Sequence, residues 1–223
     1  MGLRLLPTLV NHQHSRPTIA EGIHISKQLK PGRQQLSRDE VKNHQRERIF
    51  AALEAVMSTQ GYVETSVADL IKGAGVSRQT FYELFDSKQD CFLASYARRQ
   101  GLLGDVILAA APANSPLDRF GAVLRTYLSV MATDPRLSRL YLIGVYTAGP
   151  EAIARRLELQ QQFVDGIAII FGARSKEDRF LCQTLVAAVS TLVTNALLAD
   201  DPQVLLDLHQ PLVGVAERLM SAR

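Results

Sequence analysis

Tryptophan is absent from this 223-residue chain, and aromatic residues make up only 6% of it. Cysteine is nearly absent, with Cys91 and Cys182 far apart in sequence. This usage excludes a disulfide scaffold and favours a reducing, cytoplasmic setting. The sequence lacks an apolar run long enough to predict a membrane span, and the first ten residues, MGLRLLPTLV, are too short and interrupted for a signal-peptide core.

The motifs of common enzymes are also missing. The sequence has no metal-ligand spacing, no glycine-rich phosphate loop and no Ser/His/Asp set, and His44 and His209 are isolated. His12 and His14 form a pair, but further ligands do not cluster near them. We therefore expect a protein that is not an enzyme and that holds no cofactor and no metal.

Positive charge is concentrated at the N-terminal end. The first 38 residues carry six basic residues against one acidic residue, a net charge of +5, so the remaining residues carry −2 of the total of +3. Residues 1–36 also contain Pro7, Pro17 and Pro31 and have no sustained apolar period. They predict a basic flexible arm, which either tracks DNA phosphates or is a passive tail.

The rest of the chain has apolar residues at helical spacing and no strand-like alternation. This pattern predicts an all-α fold of about nine helices. Ser37 and Glu40 form a capping box that opens a first helix ending near Gln60. Proline and glycine breaks separate the later helices. The predicted later helices span residues 87–103, 117–132, 136–146, 151–171, 176–199 and 203–221.

Two short amphipathic helices joined by a glycine turn follow the first helix. Either Ser66 or Thr65 is suited to cap the first of them, and Gly75 lies where the chain must reverse. Ser77 is suited to cap the second helix, in which Phe81 and Phe85 are four residues apart and share a buried face. The arrangement is a helix-turn-helix pattern, in which the second helix enters the DNA major groove.

The outward side of the second helix carries side chains that suit DNA. Arg78 and Gln79 can make bidentate contacts with guanine and adenine edges, respectively. The hydroxyls of Thr80 and Tyr82 are of a type that commonly binds phosphate, and Lys88 could reach another phosphate. Paired amphipathic helices around a glycine also occur in many other folds, so periodicity alone leaves the function open.

The stretch from about Arg46 to Tyr96 resembles the N-terminal domain of the tetracycline-repressor (TetR) family of bacterial transcription regulators. The matching positions are Gly61-Tyr62, Thr65-Ser66-Val67, Ala74-Gly75-Val76-Ser77, Phe81-Tyr82 and Phe85-Asp86-Ser87-Lys88. The resemblance implies a helix-turn-helix DNA-binding domain at 37–86 and a helical ligand-binding and dimerisation domain at 87–223. After about residue 104 the chain resembles the family only in length and helical pattern.

Site residues follow from the same resemblance. Arg78 and Gln79 match positions that contact bases. The residues at or near positions that hold phosphates are Thr65, Ser77, Thr80, Tyr82 and Lys88, together with Lys42 and Arg46 near the start of the first helix. Leu84 departs from the family, which often has His there, so a contact is lost or is replaced by one with a thymine methyl. Glu83 could accept from cytosine or repel phosphate.

The family resemblance also implies an effector cavity among the C-terminal helices, which we expect to be mainly apolar. The candidate lining residues are Tyr96, Tyr127, Met131, Tyr141, Tyr146, Phe163, Thr191 and Asn195. Asn195 either faces a ligand or bonds across a dimer, because an amide in an apolar run needs partners. The sequence has no cluster of cations that would indicate an acidic effector, although Arg99, Arg125 and Arg139 could each bind one singly.

The C-terminal helices predict an association of two subunits. Residues 185–199 are hydrophobic nearly all round, and the last helix carries a matching apolar stripe, so together they favour a four-helix bundle made by two copies. The sequence therefore predicts a ligand-responsive repressor that binds a palindromic operator in double-stranded DNA as a homodimer, without a membrane partner, and is released by a small effector. A transcriptional activator or a low-specificity DNA-binding protein is the alternative.

Overall fold

The computed structural model describes residues 37–109, 114–199 and 201–221. The predicted basic arm at 1–36 lies outside these residues. The helices are α1 (Arg38–Glu64), α2 (Val67–Ala74), α3 (Arg78–Leu84), α4 (Lys88–Leu108), α5 (Pro116–Thr133), α6 (Pro135–Leu142), a 3₁₀ turn (Gly144–Thr147), α7 (Pro150–Phe171), α8 (Lys176–Leu198), α9 (Pro202–Asp207) and α10 (His209–Ser221). The described ranges contain no strand, so the all-α prediction is confirmed.

Serine side chains define where most of the helices begin. Ser37, Ser66, Ser87, Ser115 and Ser175 each accept a hydrogen bond from the backbone N–H three residues later. Each bond satisfies one of the N–H groups that a helix start leaves without an intrahelical partner. These caps use residues close in sequence, which is why the sequence pattern could locate them.

Several helix bounds differ from the sequence prediction. Helix α1 ends at Glu64 rather than near Gln60, and α4 continues to Leu108 beyond the predicted end at 103. The last helix is split at Leu208 into α9 and α10. Pro211 has no N–H to donate to the Asp207 carbonyl, so one bond across the break cannot form. The predicted helix at 136–146 ends at Leu142 and continues as the 3₁₀ turn.

The buried side chains form two apolar clusters. The first cluster contains Phe81, Phe85 and Phe92 from the N-terminal helices, together with Tyr141 and Val145 from α6 and the 3₁₀ turn. The second cluster is built from α5, α7, α8, α9 and α10. The N-terminal helices therefore complete their core with side chains from beyond residue 135.

Helix α8 buries one side and exposes the other. Leu185, Val193 and Leu197 lie in the second cluster, whereas Phe180 and Leu198 are largely exposed. The single chain therefore leaves one side of 185–199 uncovered, and the predicted packing of this segment against a second copy stays a prediction. By length and composition α8 also qualifies as a candidate membrane span, although its inner side packs in the core as in many water-soluble folds.

Replacement of Gly75 tests the turn between α2 and α3. Gly75 has φ +60°, and an added Cβ would lie 2.7 Å from Nη2 of Arg48, which donates to the Gly75 carbonyl. We expect Gly75→Ala to lower the free energy of unfolding by about 1–2 kcal/mol in urea denaturation, because an L side chain is strained in this left-handed region.

Gly104→Ala is the matched control, because Gly104 lies inside α4 with open space at its Cβ position. This change should raise the free energy of unfolding by about 0.5–1 kcal/mol, since alanine is the better helix former. Equal effects at the two glycines would contradict the assignment of strain to the turn.

Candidate nucleic-acid interface

Helix α3 is held by one buried side and presents the other to solvent. Ser77 caps it by accepting from the Thr80 N–H at 3.0 Å. Phe81 is fully buried and packs against Phe85, with ring centres 5.7 Å apart. Because the apolar side is fixed inward, the opposite side of α3 is presented to solvent.

The exposed side of α3 carries the side chains predicted to read bases. Arg78, Gln79, Tyr82 and Glu83 are all exposed. The Arg78 guanidinium lies 5.6 Å from the centre of the Tyr82 ring, and Gln79 Nε2 donates to Glu83 Oε1 at 2.8 Å. Glu83 therefore orients the Gln79 amide in the protein without DNA, a role that the sequence did not indicate.

The small hydroxyls at the start of α3 bond to each other. The Ser77 and Thr80 oxygens are 2.8 Å apart. Ser77 is exposed and Thr80 is half-buried at this end of the helix. Each hydroxyl oxygen retains capacity for another hydrogen bond, so both remain candidates for phosphate contacts.

Thr65 and Lys88 have roles inside the protein that differ from the predicted phosphate contacts. Thr65 is 2% exposed, and its hydroxyl donates to the Gly61 carbonyl at 2.7 Å, so its side chain is not presented to DNA. Lys88 Nζ donates to the carbonyls of Tyr62 at 2.8 Å and Thr65 at 2.7 Å. Burial lowers the pKa of Lys88, although nearby Glu64 opposes the shift.

Lys88 therefore joins the start of α4 to the corner between α1 and α2. Its ammonium also lies 4.2 Å from the centre of the Tyr62 ring. These contacts were missed because they depend on residues 23 and 26 positions away along the chain. Two of the predicted DNA contacts, Thr65 and Lys88, are thus better described as groups that shape the domain.

The two basic residues of α1 are exposed, as a phosphate contact requires. Lys42 and Arg46 both lie on the solvent side of the helix. The Arg46 guanidinium is 6.0 Å from the centre of the Phe85 ring, close to the end of α3. This places positive charge beside the helix that carries Arg78 and Gln79.

Comparisons with known proteins agree with this geometry. Residues 49–95 match the sequence profile of the bacterial regulatory proteins of the tetR family. A 46-residue segment is 46% identical to the HTH-type transcriptional regulator EthR of Mycolicibacterium smegmatis, and it spans 21% of each chain. Both matches concern the helix-turn-helix part of the chain. Its matched part spans about a fifth of that curated relative.

Solved structures show that the fold likeness extends through the C-terminal helices. The fatty acid degradation regulator FadR of Bacillus halodurans superposes with a TM-score of 0.69 at 19% identity, covering 79% of this chain and 94% of that one. FadR of Bacillus subtilis, solved in complex with stearoyl-CoA, gives a TM-score of 0.64 at 21% identity, covering 79% and 98%. At these identities the likeness concerns the fold.

Four aromatic residues predicted to line an effector cavity form two ring pairs, one in each apolar cluster. Tyr96 stacks on Tyr141 with ring centres 5.7 Å apart, and Tyr127 meets Phe163 edge-on at 6.0 Å. Met131 is buried in the second cluster. Burial raises the pKa of Tyr127 to about 12, so its phenol stays protonated at neutral pH.

Three of the predicted cavity residues lie at the surface instead. Tyr146 is 53% exposed, and Thr191 and Asn195 lie on the exposed side of α8. Their assignment to an interior cavity is therefore corrected. For Thr191 and Asn195 the reason is that the apolar run of α8 buries only the inner side of that helix. For Asn195 the alternative of a contact between subunits remains a prediction.

A polar network that the sequence did not reveal connects α1, α4 and α6. Arg99 donates to both carboxylate oxygens of Glu54, with Nε at 2.6 Å from Oε1. The Tyr141 hydroxyl donates to Glu54 Oε1 at 3.1 Å and lies 2.7 Å from the Ser95 hydroxyl. Burial raises the pKa of Tyr141, so the hydroxyl keeps its proton for these contacts. Arg99 is therefore engaged by Glu54, and this pairing opposes its predicted role as a single anion contact.

The sequence analysis also missed Arg156, which is only 5% exposed. A signal was present, because Arg156 lies four residues after Ala152 and seven before Phe163 on the apolar side of α7. Its neighbour Arg155 lies at the surface and pairs with Glu158 at 2.9 Å. A lone arginine on an apolar helix face indicates a buried polar site.

Lys88→Met separates the structural role from direct DNA contact. We expect it to lower the free energy of unfolding by about 1–2 kcal/mol in chemical denaturation without DNA, because the carbonyls of Tyr62 and Thr65 lose their donor. Lys72→Met is the control, since Lys72 is exposed in the last turn of α2. An unchanged unfolding free energy in Lys88→Met would return this lysine to the group of phosphate contacts.

Proposed function

We propose that this chain is a cytoplasmic, ligand-responsive repressor that binds a palindromic operator as a homodimer. The observation that carries the proposal is the exposed side of α3, where Arg78, Gln79 and Tyr82 project from a helix anchored by the buried Phe81. Arginine and glutamine are the side chains that read guanine and adenine edges in the major groove. Two such helices would occupy successive major grooves.

The exposed side of α8 supports the proposed dimer. Phe180, Thr184, Ala187, Thr191 and Asn195 are all exposed and recur at spacings of three and four residues, so they lie in one stripe. The stripe is apolar or uncharged and contains small side chains that allow close helix approach. A second copy of the chain would cover this stripe. The resulting dimer would place one α3 helix at each half-site of a palindromic operator.

Helix α4 supports the proposed response to an effector. Lys88 at its start is bonded to the corner of α1 and α2, and Tyr96 further along contributes to the interior aromatic group. A ligand that favours a different position of α4 would change the spacing of the two α3 helices. It releases DNA only if it binds that second arrangement better.

The effector is proposed to be small and mainly apolar. The candidate cavity residues that lie in the second cluster, Tyr127, Met131 and Phe163, are aromatic or apolar. FadR of Bacillus subtilis, which shares the fold, holds stearoyl-CoA. A molecule with an acyl chain is therefore one chemical type that a fold of this kind holds.

Site selection from a fragmented genomic library with the purified full-length protein tests the proposed DNA binding. Enrichment of one palindromic motif would support a specific dimeric regulator. Transcription from a promoter carrying that motif should fall when the protein is present, whereas a rise would identify an activator. Binding to all fragments with equal affinity would contradict the specific reader and favour a low-specificity DNA-binding protein.

Arg78→Ala tests base reading by α3. We expect a loss of about 1–3 kcal/mol in binding to the selected motif and relaxed base choice at one position of each half-site, measured by fluorescence anisotropy. Arg136→Ala is the control, because Arg136 is an exposed arginine of α6. A uniform loss on all sequences would assign Arg78 to phosphate binding instead.

Thr191→Arg tests the proposed subunit contact. A charge in the middle of the α8 stripe should convert the dimer to a monomer in analytical ultracentrifugation and weaken operator binding, because desolvating an unpaired charge is costly. Thr133→Arg places the same change at the exposed end of α5 and should leave the dimer intact. A dimer that persists in Thr191→Arg would place the subunit contact on another surface.

A further inference from the structure

Arg156 is a buried cation whose donors are only partly used. Its Nη2 donates to the Ser190 hydroxyl of α8 at 2.9 Å. Its Nε is buried and has no hydrogen-bond partner among the described residues. Within the same ranges, no carboxylate forms an ion pair with it, and the nearby Glu158 pairs with Arg155 at the surface. A buried charge without a counter-charge is costly to the fold.

Two further buried donors accompany Arg156. The Tyr96 hydroxyl and Gln100 Nε2, both on α4, are also buried, and neither forms a hydrogen bond of normal length and angle among the described residues. Burial raises the pKa of Tyr96, whereas the charge of Arg156 and the contact with the Gln100 side chain partly oppose that rise, so the Tyr96 hydroxyl lies near each of these two groups. Arg156 likewise opposes the rise caused by burial at Tyr127.

The chemistry of these groups defines what they can bind. A guanidinium Nε and an amide Nε2 are donors only, and the Tyr96 hydroxyl can supply a third hydrogen. Three buried donors around a positive charge match the oxygen atoms of an anion and exclude a cation. Planar guanidinium groups bind carboxylates through short, charge-assisted hydrogen bonds.

A surface cleft of about 220 Å³ lies between α4 and α7 beside one of these donors. Gln100 lines it together with Leu159, Gln162 and the paired Arg155 and Glu158. Gln100 therefore belongs both to the cleft and to the buried donors, whereas Arg156 and Tyr96 do not line the cleft.

We infer that Arg156, Tyr96 and Gln100 bind the carboxylate of an organic acid whose apolar part packs against Tyr127 and Phe163. This inference rests on the proposed function, because the acid would be the effector of the proposed regulator. A carboxylate is favoured over a nucleotide phosphate because Arg156 is only 5% exposed, so the acidic group must be small enough to be enclosed with it. The inference adds a charged end to the mainly apolar effector proposed above.

Isothermal titration of the purified full-length protein with acetate, octanoate, laurate and phenylacetate tests the site directly, without DNA. Each acid is compared with its methyl ester, and octanoate also with octanoyl-CoA. We expect at least one acid to bind about tenfold or more tightly than its ester, because the ester cannot form charge-assisted hydrogen bonds with Arg156. Equal binding of acid and ester, or tighter binding of octanoyl-CoA than octanoate, would overturn the inference.

Arg156→Met should remove the preference for the acid by about 10- to 100-fold. The variant should fold, because a buried unpaired charge is replaced by an apolar side chain of similar length. Tyr96→Phe is a second variant that removes one donor and keeps the ring that stacks on Tyr141, and it should reduce affinity for the acid by about three- to tenfold. Arg119→Met makes the same chemical change as Arg156→Met at an exposed position of α5 and should leave binding within about twofold.

Several outcomes would overturn the assignment of the site. They are a preference for acid that survives in both Arg156→Met and Tyr96→Phe, a loss as large in Arg119→Met, and the absence of binding by all four acids at millimolar concentration. DNA binding is measured separately with the selected motif. Arg156-dependent binding of an acid that leaves DNA affinity unchanged would retain the carboxylate site and contradict the proposed effector response.

Discussion

The contact of Tyr141 with the N-terminal helices is the interaction on which the rest of the structure depends. Its ring lies 5.9 Å from that of Phe92 and 5.7 Å from that of Tyr96, and its hydroxyl reaches Ser95 and Glu54. Without this side chain from α6, the first apolar cluster would be open on the side that faces α4. The DNA-reading helices consequently share the first apolar cluster with α6 and the 3₁₀ turn. A displacement on one side of this cluster therefore alters the packing on the other side.

Attachment at its first turn and again at its middle makes α4 suitable for carrying that change. Lys88 bonds its first turn to the carbonyls of Tyr62 and Thr65, and Arg99 pairs with Glu54 three turns later. Both partners belong to α1 or the corner after it, so α4 cannot slide along α1 without breaking charged contacts. A joint motion of α4 and the helix-turn-helix requires less free energy than a shift of α4 alone. Such a motion suits a protein in which the spacing between two α3 helices is regulated.

The sequence was most informative where the governing chemistry is local. The caps at Ser66 and Ser77, the reversal at Gly75 and the inward side of Phe81 depend on residues within four positions, and each is found as expected. Thr65 and Lys88 were misassigned because their partners are set by how α1, α2 and α4 meet. The predicted packing of α8 between two copies stays a prediction, since a single chain shows only which side of the helix it leaves uncovered.

Arg156 joins the two functions proposed for the C-terminal helices. Its guanidinium bonds Ser190 on α8, whose outer side carries the proposed subunit contact, and it lies near Tyr96 on α4, which leads to the DNA-reading domain. An anion held by Arg156 would compete with Ser190 for the same donors and would recruit Tyr96 and Gln100. A single acidic group would therefore alter the packing of α4 and α8 together. Because the charge of Arg156 is already buried, an anion that neutralises it can stabilise one arrangement of α4 and α8. The gain in free energy can exceed that from a neutral ligand of equal size.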